Sequence, residues 1–272
     1  MTEGDARIRL YEASDDKLVK FSIGKASMEG LAVANRSAFF HPFTLSAWVG
    51  LSCIMIQYLN WWPKPEYGLL GYLAPLPAFG SWGAVMLYLM DWFNRPHFED
   101  ASLDLLRRPD VADIANHYRR SPSSGFFILE YSKKFVGLIA IDASKDSQSQ
   151  DTLMDKDKGK PSSSLKSKHA MSQGTSSVAT IRHFYIEEPY RRAGIQEDLL
   201  AHAIQHTFKM DNAVKEIKVT TTSLIPYVQK CIHDAGFALE KPVGKVGIYG
   251  WKFDLFVLRR AHWNKQNAGT VS

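Results

Sequence analysis

The sequence predicts a mixed α/β fold, a central sheet flanked by helices, into which a two-helix apolar hairpin is inserted. Three observations carry that expectation. Strand-like and helix-like segments alternate at both ends of the chain, two long windows within its first hundred residues hold no charged side chain, and the second half runs directly from a strand through a basic turn into an amphipathic helix.

The chain has 272 residues, 45% hydrophobic and 12% aromatic, which suffices for one α/β domain with extra elements. Lys and Arg number 33 against 28 Asp and Glu, a net charge of +5. That balance suits an anionic membrane surface or a phosphate-bearing ligand, and it is too mild for nucleic acid, for which no motif is present. Only Cys53 and Cys231 occur, so neither a disulfide framework nor a zinc or other metal site is expected. The first residues, MTEGDARIRLYEASDDK, are polar and acidic and lack the pattern of a cleavable signal peptide.

Residues 8–32 open with the alternating run IRLYEASD, a strand, closed by Ser14, Asp15 and Asp16, which suit the N-terminus of a following helix. Residues 37–63 and 67–90 contain no Asp, Glu, Lys or Arg, and each window exceeds the roughly 20 residues that cross a bilayer. Between them lies Trp61-Trp62-Pro63-Lys64-Pro65-Glu66-Tyr67, whose indoles suit a headgroup layer. The pair reads as a transmembrane hairpin whose second helix is kinked by Pro75 and Pro77; a buried soluble helix is the alternative. Lys20, Lys25 and Arg36 precede it and Arg95, Arg107 and Arg108 follow, whereas the loop offers only Lys64, which places both ends of the hairpin in the cytosol.

A helix is expected over residues 110–119, with Val111, Ile114, Ala115 and Tyr118 at helical spacing. Residues 125–131 and 135–141 are apolar runs around Lys133-Lys134 and read as a β-hairpin. Residues 144–177 form a Ser, Lys, Asp and Gln tract with almost no large apolar residue, expected to be a disordered insert. Residues 180–186 alternate as a strand, Pro189 ends it, and Leu199, Leu200, Ala203 and Ile204 recur at helical spacing. The run from Arg191 to Gln196 therefore falls on the turn into a helix, where unpaired N–H groups, a glycine and two arginines suit an anion. Strand 214–220, a helix over 226–235 closed by Gly236, and a strand within 246–259 complete the chain.

Arg191, Gly194 and Gln196 occupy the defining positions of a Gln/Arg-x-x-Gly-x-Gly/Ala loop, and on them the chain resembles the GNAT N-acetyltransferase superfamily. The hairpin SGFFILEYSKKFVGLIAID and the closing Ala235-Gly236-Phe237 are similar to further segments of that family. The apolar hairpin placed after the first strand and helix resembles its membrane-anchored branch, with cysteine S-conjugate N-acetyltransferase and the camello proteins. The resemblance implies a GNAT-like mixed sheet with an inserted transmembrane hairpin. The segments are 1–36, the hairpin 37–93, a helix and β-hairpin over 94–143, the polar insert 144–179, and an acetyl-CoA half over 180–272. It also implies acetyl-CoA as cosubstrate, an unknown amine as acceptor, membrane lipid as partner and the endoplasmic reticulum as location.

On the same resemblance the cofactor lies along the strand ending at Ile186 and on Arg191, Arg192, Ala193, Gly194, Ile195 and Gln196. Gln196 stands where the family has a small residue. His183 is the leading base candidate, because imidazole titrates near neutrality, with Glu187 and Glu188 as alternatives. The family's tyrosine donor falls at Ile232, which has no proton to give, and Tyr227 reads as a surface or core aromatic. Those two departures keep open a catalytically degenerate membrane accessory that acts on a membrane-protein partner.

Overall fold

The computed structural model describes residues 6–148 and 173–269. They fall into two compact units, one made of residues up to Ser27 with Ala101–Lys245 and Trp251 onward, the other of Met28–Asp100 with Val246–Gly250.

The first unit is built on a seven-stranded sheet: β1 (Ala6–Leu10), β2 (Gly125–Tyr131), β3 (Lys134–Ser144), β4 (Thr175–Ile186), β5 (Glu216–Thr222), β6 (Ala238–Val246) and β7 (Trp251–Arg259). Their spatial order is β1-β2-β3-β4-β5-β7-β6. The β4–β5 pair is parallel, and β1–β2, β2–β3, β3–β4 and β5–β7 are antiparallel. Ser132 and Lys133 take positive φ at the β2–β3 turn, the twist that a two-residue hairpin needs.

Period-two alternation sorts the apolar residues onto two faces. Phe127, Leu129, Ile139 and Ile141 pack with Leu199, Leu200, Ala203 and Ile204 of α6 (Ile195–Met210) and with Val228 and Ile232 of α7 (Pro226–Asp234). Phe126, Ile128, Leu138 and Ala140 face the other way. They meet Val19 and Ile23 of α1 (Asp16–Phe39), Leu105 at the end of α3 (Leu76–Leu106), and Val111, Ile114 and Tyr118 of α4 (Pro109–Ala112) and α5 (Ile114–Tyr118). Each such aliphatic side chain contributes about 1.5–3 kcal/mol on burial, so the two faces supply most of the driving force.

Two expectations about this unit need correction. The helix expected over 110–119 is two, because Asp113 leaves helical geometry and its carboxylate accepts from Asn116 N, starting α5 afresh. The polar insert expected over 144–179 loses both ends: Ser144 closes β3 and Thr175 opens β4, and the two pair in register. Residues 149–172 lie outside the described residues. Of the three polar residues expected at the entry to α1, Asp15 holds it: its carboxylate accepts from Glu12 N at 3.0 Å and binds Arg9.

In the second unit α2 (Pro42–Leu59) begins at Pro42 beneath a His41 cap and ends at Asn60 in left-handed geometry. A 3-10 segment, Pro65–Leu73, follows, and the prolines expected to kink the second span instead stand at the start of α3. Pro42–Leu59 and Gly68–Leu106 are both long and apolar enough to cross a membrane, and 17% of each apolar window is buried. Inside the unit, Asn35 donates to Asp91 at 2.8 Å, Asn94 donates to Asn35 at 2.9 Å, and Asn94 is fully buried. Trp48 Nε1 joins α2 to α3 through Phe79 O at 2.9 Å.

Candidate active site

The strands β4 and β5 are paired from Val178 to Ile181 against Glu216 to Val219 and no further. Beyond that point β5 stays with β7 through Thr222, while β4 stays with β3 through Ile186, so the two parallel strands splay. A cavity of about 150 Å³ opens between them, lined by residues 181–185 of β4, 219–222 of β5 and Phe253, with Ile23, Ala26 and Ser27 of α1, Ile225 before α7 and Val228 within it.

Within the splay the backbone groups of Ile186 at the edge of β4 are met by side chains instead of by β5. Glu187 N donates to Val136 O of β3 at 2.8 Å, so strand alternation turns the N–H and C=O of Ile186 away from β3. Arg191 Nε takes the Ile186 carbonyl at 2.8 Å. The hydroxyl of Tyr227 stands 3.5 Å from Ile186 N, and the Arg191 guanidinium lies over the Tyr227 ring at 4.0 Å. Sequence reasoning set Tyr227 aside; its single signal was an aromatic in the first turn of the helix that follows β5.

His183 reaches the second face of the sheet through an irregularity. Ala140 pairs with His183 and Ile141 with Ile181, so Arg182 is an extra residue in β4 and the alternation slips by one. Ile181 therefore joins the α6 face, whereas Arg182, His183 and Tyr185 share the other. There His183 Nε2 meets Asp110 Oδ2 of α4 at 2.9 Å, with both side chains buried. Burial opposes ionisation of Asp110, but the hydrogen bond to His183 and the attraction of His183, Arg182 and His117 outweigh it and hold the carboxyl down to about 2.

Next to this pair lies a second buried network. Asp142 accepts from Arg182 Nε at 3.0 Å and from the hydroxyl and amide of Ser144, and it meets His117 Nε2 at 3.2 Å. These contacts overcome its burial and hold Asp142 well below the usual carboxylate range. Arg120 extends the network to Asp146, its Nη1 donating to both carboxylate oxygens at 2.8 and 2.6 Å.

The other base candidate is differently placed. Glu187 follows β4 and its carboxylate is engaged by Lys25 Nζ of α1 at 2.6 Å. That bond raises the Lys25 ammonium above its ordinary value. Glu188 lies exposed in the turn that follows.

The basic turn takes the geometry an anion site needs, with changes of detail. Glu188–Ala193 is a 3-10 turn and Gly194 is left-handed at φ 75°, from which α6 starts at Ile195. Space is open at the Gly194 Cα, where an added Cβ would meet nothing within 4 Å. Arg192 and Ala193 are exposed and Arg191 is turned back onto Ile186 and Tyr227. Gln196, expected to lie against a bound anion, instead shares the inward stripe of α6 with Leu199, Leu200 and Ala203, and its Oε1 is buried. Its side chain leaves the outer surface of the turn clear, beside the first N–H groups of α6, whose orientation suits an anion. Glu197 and Asp198 in the same turn oppose it. Ile232, at the family's donor position, is fully buried in the core.

A family model described as "Acetyltransferase (GNAT) family" matches residues 86–237, more than half of the chain. Among solved structures, the chain is similar to spermidine N-acetyltransferase from Vibrio cholerae in complex with CoA and spermine, at 10% identity and TM-score 0.46, covering 95% of this chain and 98% of that one. It is also similar to a GNAT-family acetyltransferase from Staphylococcus aureus, at 10% identity and TM-score 0.43, covering 94% and 99%. The yncA protein of Salmonella typhimurium, solved with its cofactor acetyl-CoA, gives 9% identity and TM-score 0.43, covering 94% of each. No curated protein matches the chain.

Proposed function

The chain belongs to the acetyltransferase (GNAT) family, and from that membership we propose that it transfers an acetyl group from acetyl-CoA to an amine while anchored in a membrane. The splay of β4 from β5, beside a glycine turn that opens a helix, is the observation that carries the reading.

Acetyl-CoA supplies the acetyl group as a thioester, which an amine attacks more readily than an ester or amide. The exposed backbone around Gly194 and the N-terminus of α6, with Arg192, would hold the pyrophosphate, and the cleft beside residues 181–186 would hold the acyl arm. Ile186 N–H points into the splay, where the Tyr227 hydroxyl is its long acceptor at 3.5 Å; a substrate carbonyl oxygen in the cleft would take that place, where negative charge develops during acyl transfer. His183 lines the cavity and is the group suited to take the amine proton. Tyr227 stands at the same Ile186 edge and is suited to give a proton to the leaving thiolate, a role Ile232 cannot fill. Spermine is bound by one structural neighbour, and an amine acceptor of that chemical class is consistent with the proposal.

Membrane anchoring rests on Pro42–Leu59 and Gly68–Leu106. The basic residues that flank the pair, against a single Lys64 between, support hairpin ends on the cytosolic side of an internal membrane.

Calorimetric titration of acetyl-CoA into the detergent-purified full chain tests the reading, with Gly194→Glu as control. A side chain at φ 75° is strained and its carboxylate stands where the pyrophosphate would lie. Micromolar binding that weakens at least tenfold in the variant supports the proposal. A folded sample that takes up no acetyl-CoA at millimolar concentration overturns it and turns attention to the accessory role that the buried Ile232 would favour.

A further inference from the structure

We propose that Asp110 is a positioning residue for His183, holding its Nε2–H so that Nδ1 is the atom that receives the proton of the attacking amine; this rests on the reading of His183 as the base. The geometry is specific. A carboxylate on a short helix and an imidazole on a strand, 73 positions apart in the chain, meet at 2.9 Å with both side chains buried. A core histidine needs no charged partner, and a carboxylate is costly to bury unless it is paired and hydrogen-bonded.

An ionised carboxylate only accepts hydrogen bonds, so the Asp110 contact fixes the proton of the neutral ring on Nε2. The lone pair is then on Nδ1. The β4 bulge at Arg182 is what turns this ring toward α4, since regular alternation would have placed it among the residues under α6. Arg182 and His117 stand close enough to Asp110 to favour its ionised form.

The step balances with the groups present. As the amine nitrogen forms its bond to the acetyl carbon, its N–H bond breaks and Nδ1 takes the proton, leaving an imidazolium whose charge is offset by Asp110. The carbon–sulfur bond breaks, and the thiolate takes a proton from the Tyr227 hydroxyl. Solvent then restores both groups.

Histidine-selective ¹⁵N correlation spectra of the full chain in detergent micelles read the tautomer directly, with His183→Gln identifying the ring's signals among those of the nine histidines. For the neutral ring the expected form is Nε2–H, giving way to mixed tautomers in Asp110→Ala. A native ring carrying its proton on Nδ1 overturns the proposal, and wild-type protein alone decides this if the variant does not fold. Turnover separates the two readings. With acetyl-CoA and spermine as the probe amine, Asp110→Asn is expected to lower kcat at least about tenfold with KM for acetyl-CoA unchanged. An Asp110→Asn enzyme with wild-type kcat and tautomer sinks the positioning role while the base reading stands. Wild-type turnover in His183→Gln sinks the base reading, with the tautomer result unaffected.

Discussion

The Arg191 guanidinium lies 4.0 Å from the centre of the Tyr227 ring. Through this contact the turn before α6 and the first turn of α7 act as one assembly, because the same guanidinium also holds the Ile186 carbonyl. The arginine that the sequence suggested as a pyrophosphate ligand therefore has a structural task. It fixes the tyrosine whose hydroxyl stands at the strand edge.

Tyr227→Phe keeps the ring under Arg191 and removes only the hydroxyl. We predict a fall in kcat of about 10²-fold with little change in KM for acetyl-CoA or in melting temperature. Steady-state release of CoA measures it. Unchanged kcat would remove Tyr227 from the chemistry and leave thiolate protonation to solvent.

Glu187 gives the contrasting prediction. Its carboxylate is committed to Lys25 at 2.6 Å, on a partly exposed surface where such a pair contributes at most about 1 kcal/mol. Glu187→Gln should therefore alter kcat by less than about threefold, whereas His183→Gln should cost at least about a hundredfold. The reverse order of effects would exchange their roles.

Much of the fold was legible because its signals are local. The alternation of Phe126 to Leu129, the helical spacing of Leu199 to Ile204 and the glycine at 194 each depend on a few neighbours, and each is found where the pattern put it. The site was less legible because its decisive features are not local. Arg182 looks like any residue of an alternating strand, and only the register against β3 shows that it is extra and that His183 changes face. Asp110, 73 positions from His183, carries no sequence signal linking the two. Gln196 misled for a related reason: its position in the loop motif suggested contact with a ligand, while the turn geometry set at Gly194 assigns it to the buried stripe of α6.

Acid should unfold the first unit in a recognisable way. Asp110 is held down to about 2 and Asp142 lower still, both below the ordinary aspartate value near 3.9. Carboxylates depressed in the folded state contribute stability that is full above the unfolded value and is lost as pH falls through the folded one. For Asp110 the amount is on the order of 2 kcal/mol, lost between about pH 5 and pH 2. The melting temperature should drop steeply over that range, and Asp110→Asn should melt lower at neutral pH but with a shallower acid slope. Parallel curves for wild type and variant would show that the pair is not coupled to folding.

Removal of the Arg182 guanidinium leaves Asp142 buried without one of its charged partners. Such a loss costs about 3–5 kcal/mol where the carboxylate cannot reach water, and Asp142 is fully buried. Arg182→Leu should therefore lower the melting temperature by many degrees, and Asp142→Asn in the same chain should recover part of the loss. A single variant as stable as wild type would mean that His117 and Ser144 satisfy Asp142 unaided.

The second unit is arranged with large apolar side chains outward and polar ones within. Ile54, Tyr58, Leu69, Leu70, Leu87 and Trp92 are exposed, whereas Ser52, Thr44 and Asn94 are buried. A helix pair packed in the core of a soluble protein would bury most of its apolar windows, yet 17% of each is buried here. Hydrocarbon is the surroundings that such a surface matches, and the Asp91–Asn35–Asn94 hydrogen bonds pair polar groups that would be costly there if left unpaired. The chain expressed in cells should stay with the membrane fraction after alkaline carbonate extraction. A variant carrying Ile54→Lys and Leu87→Lys, which puts a charge on each apolar helix, should be recovered largely in the soluble or aggregated fraction. Release of the wild-type chain by carbonate would overturn the anchor and recast both helices as a surface that binds another protein.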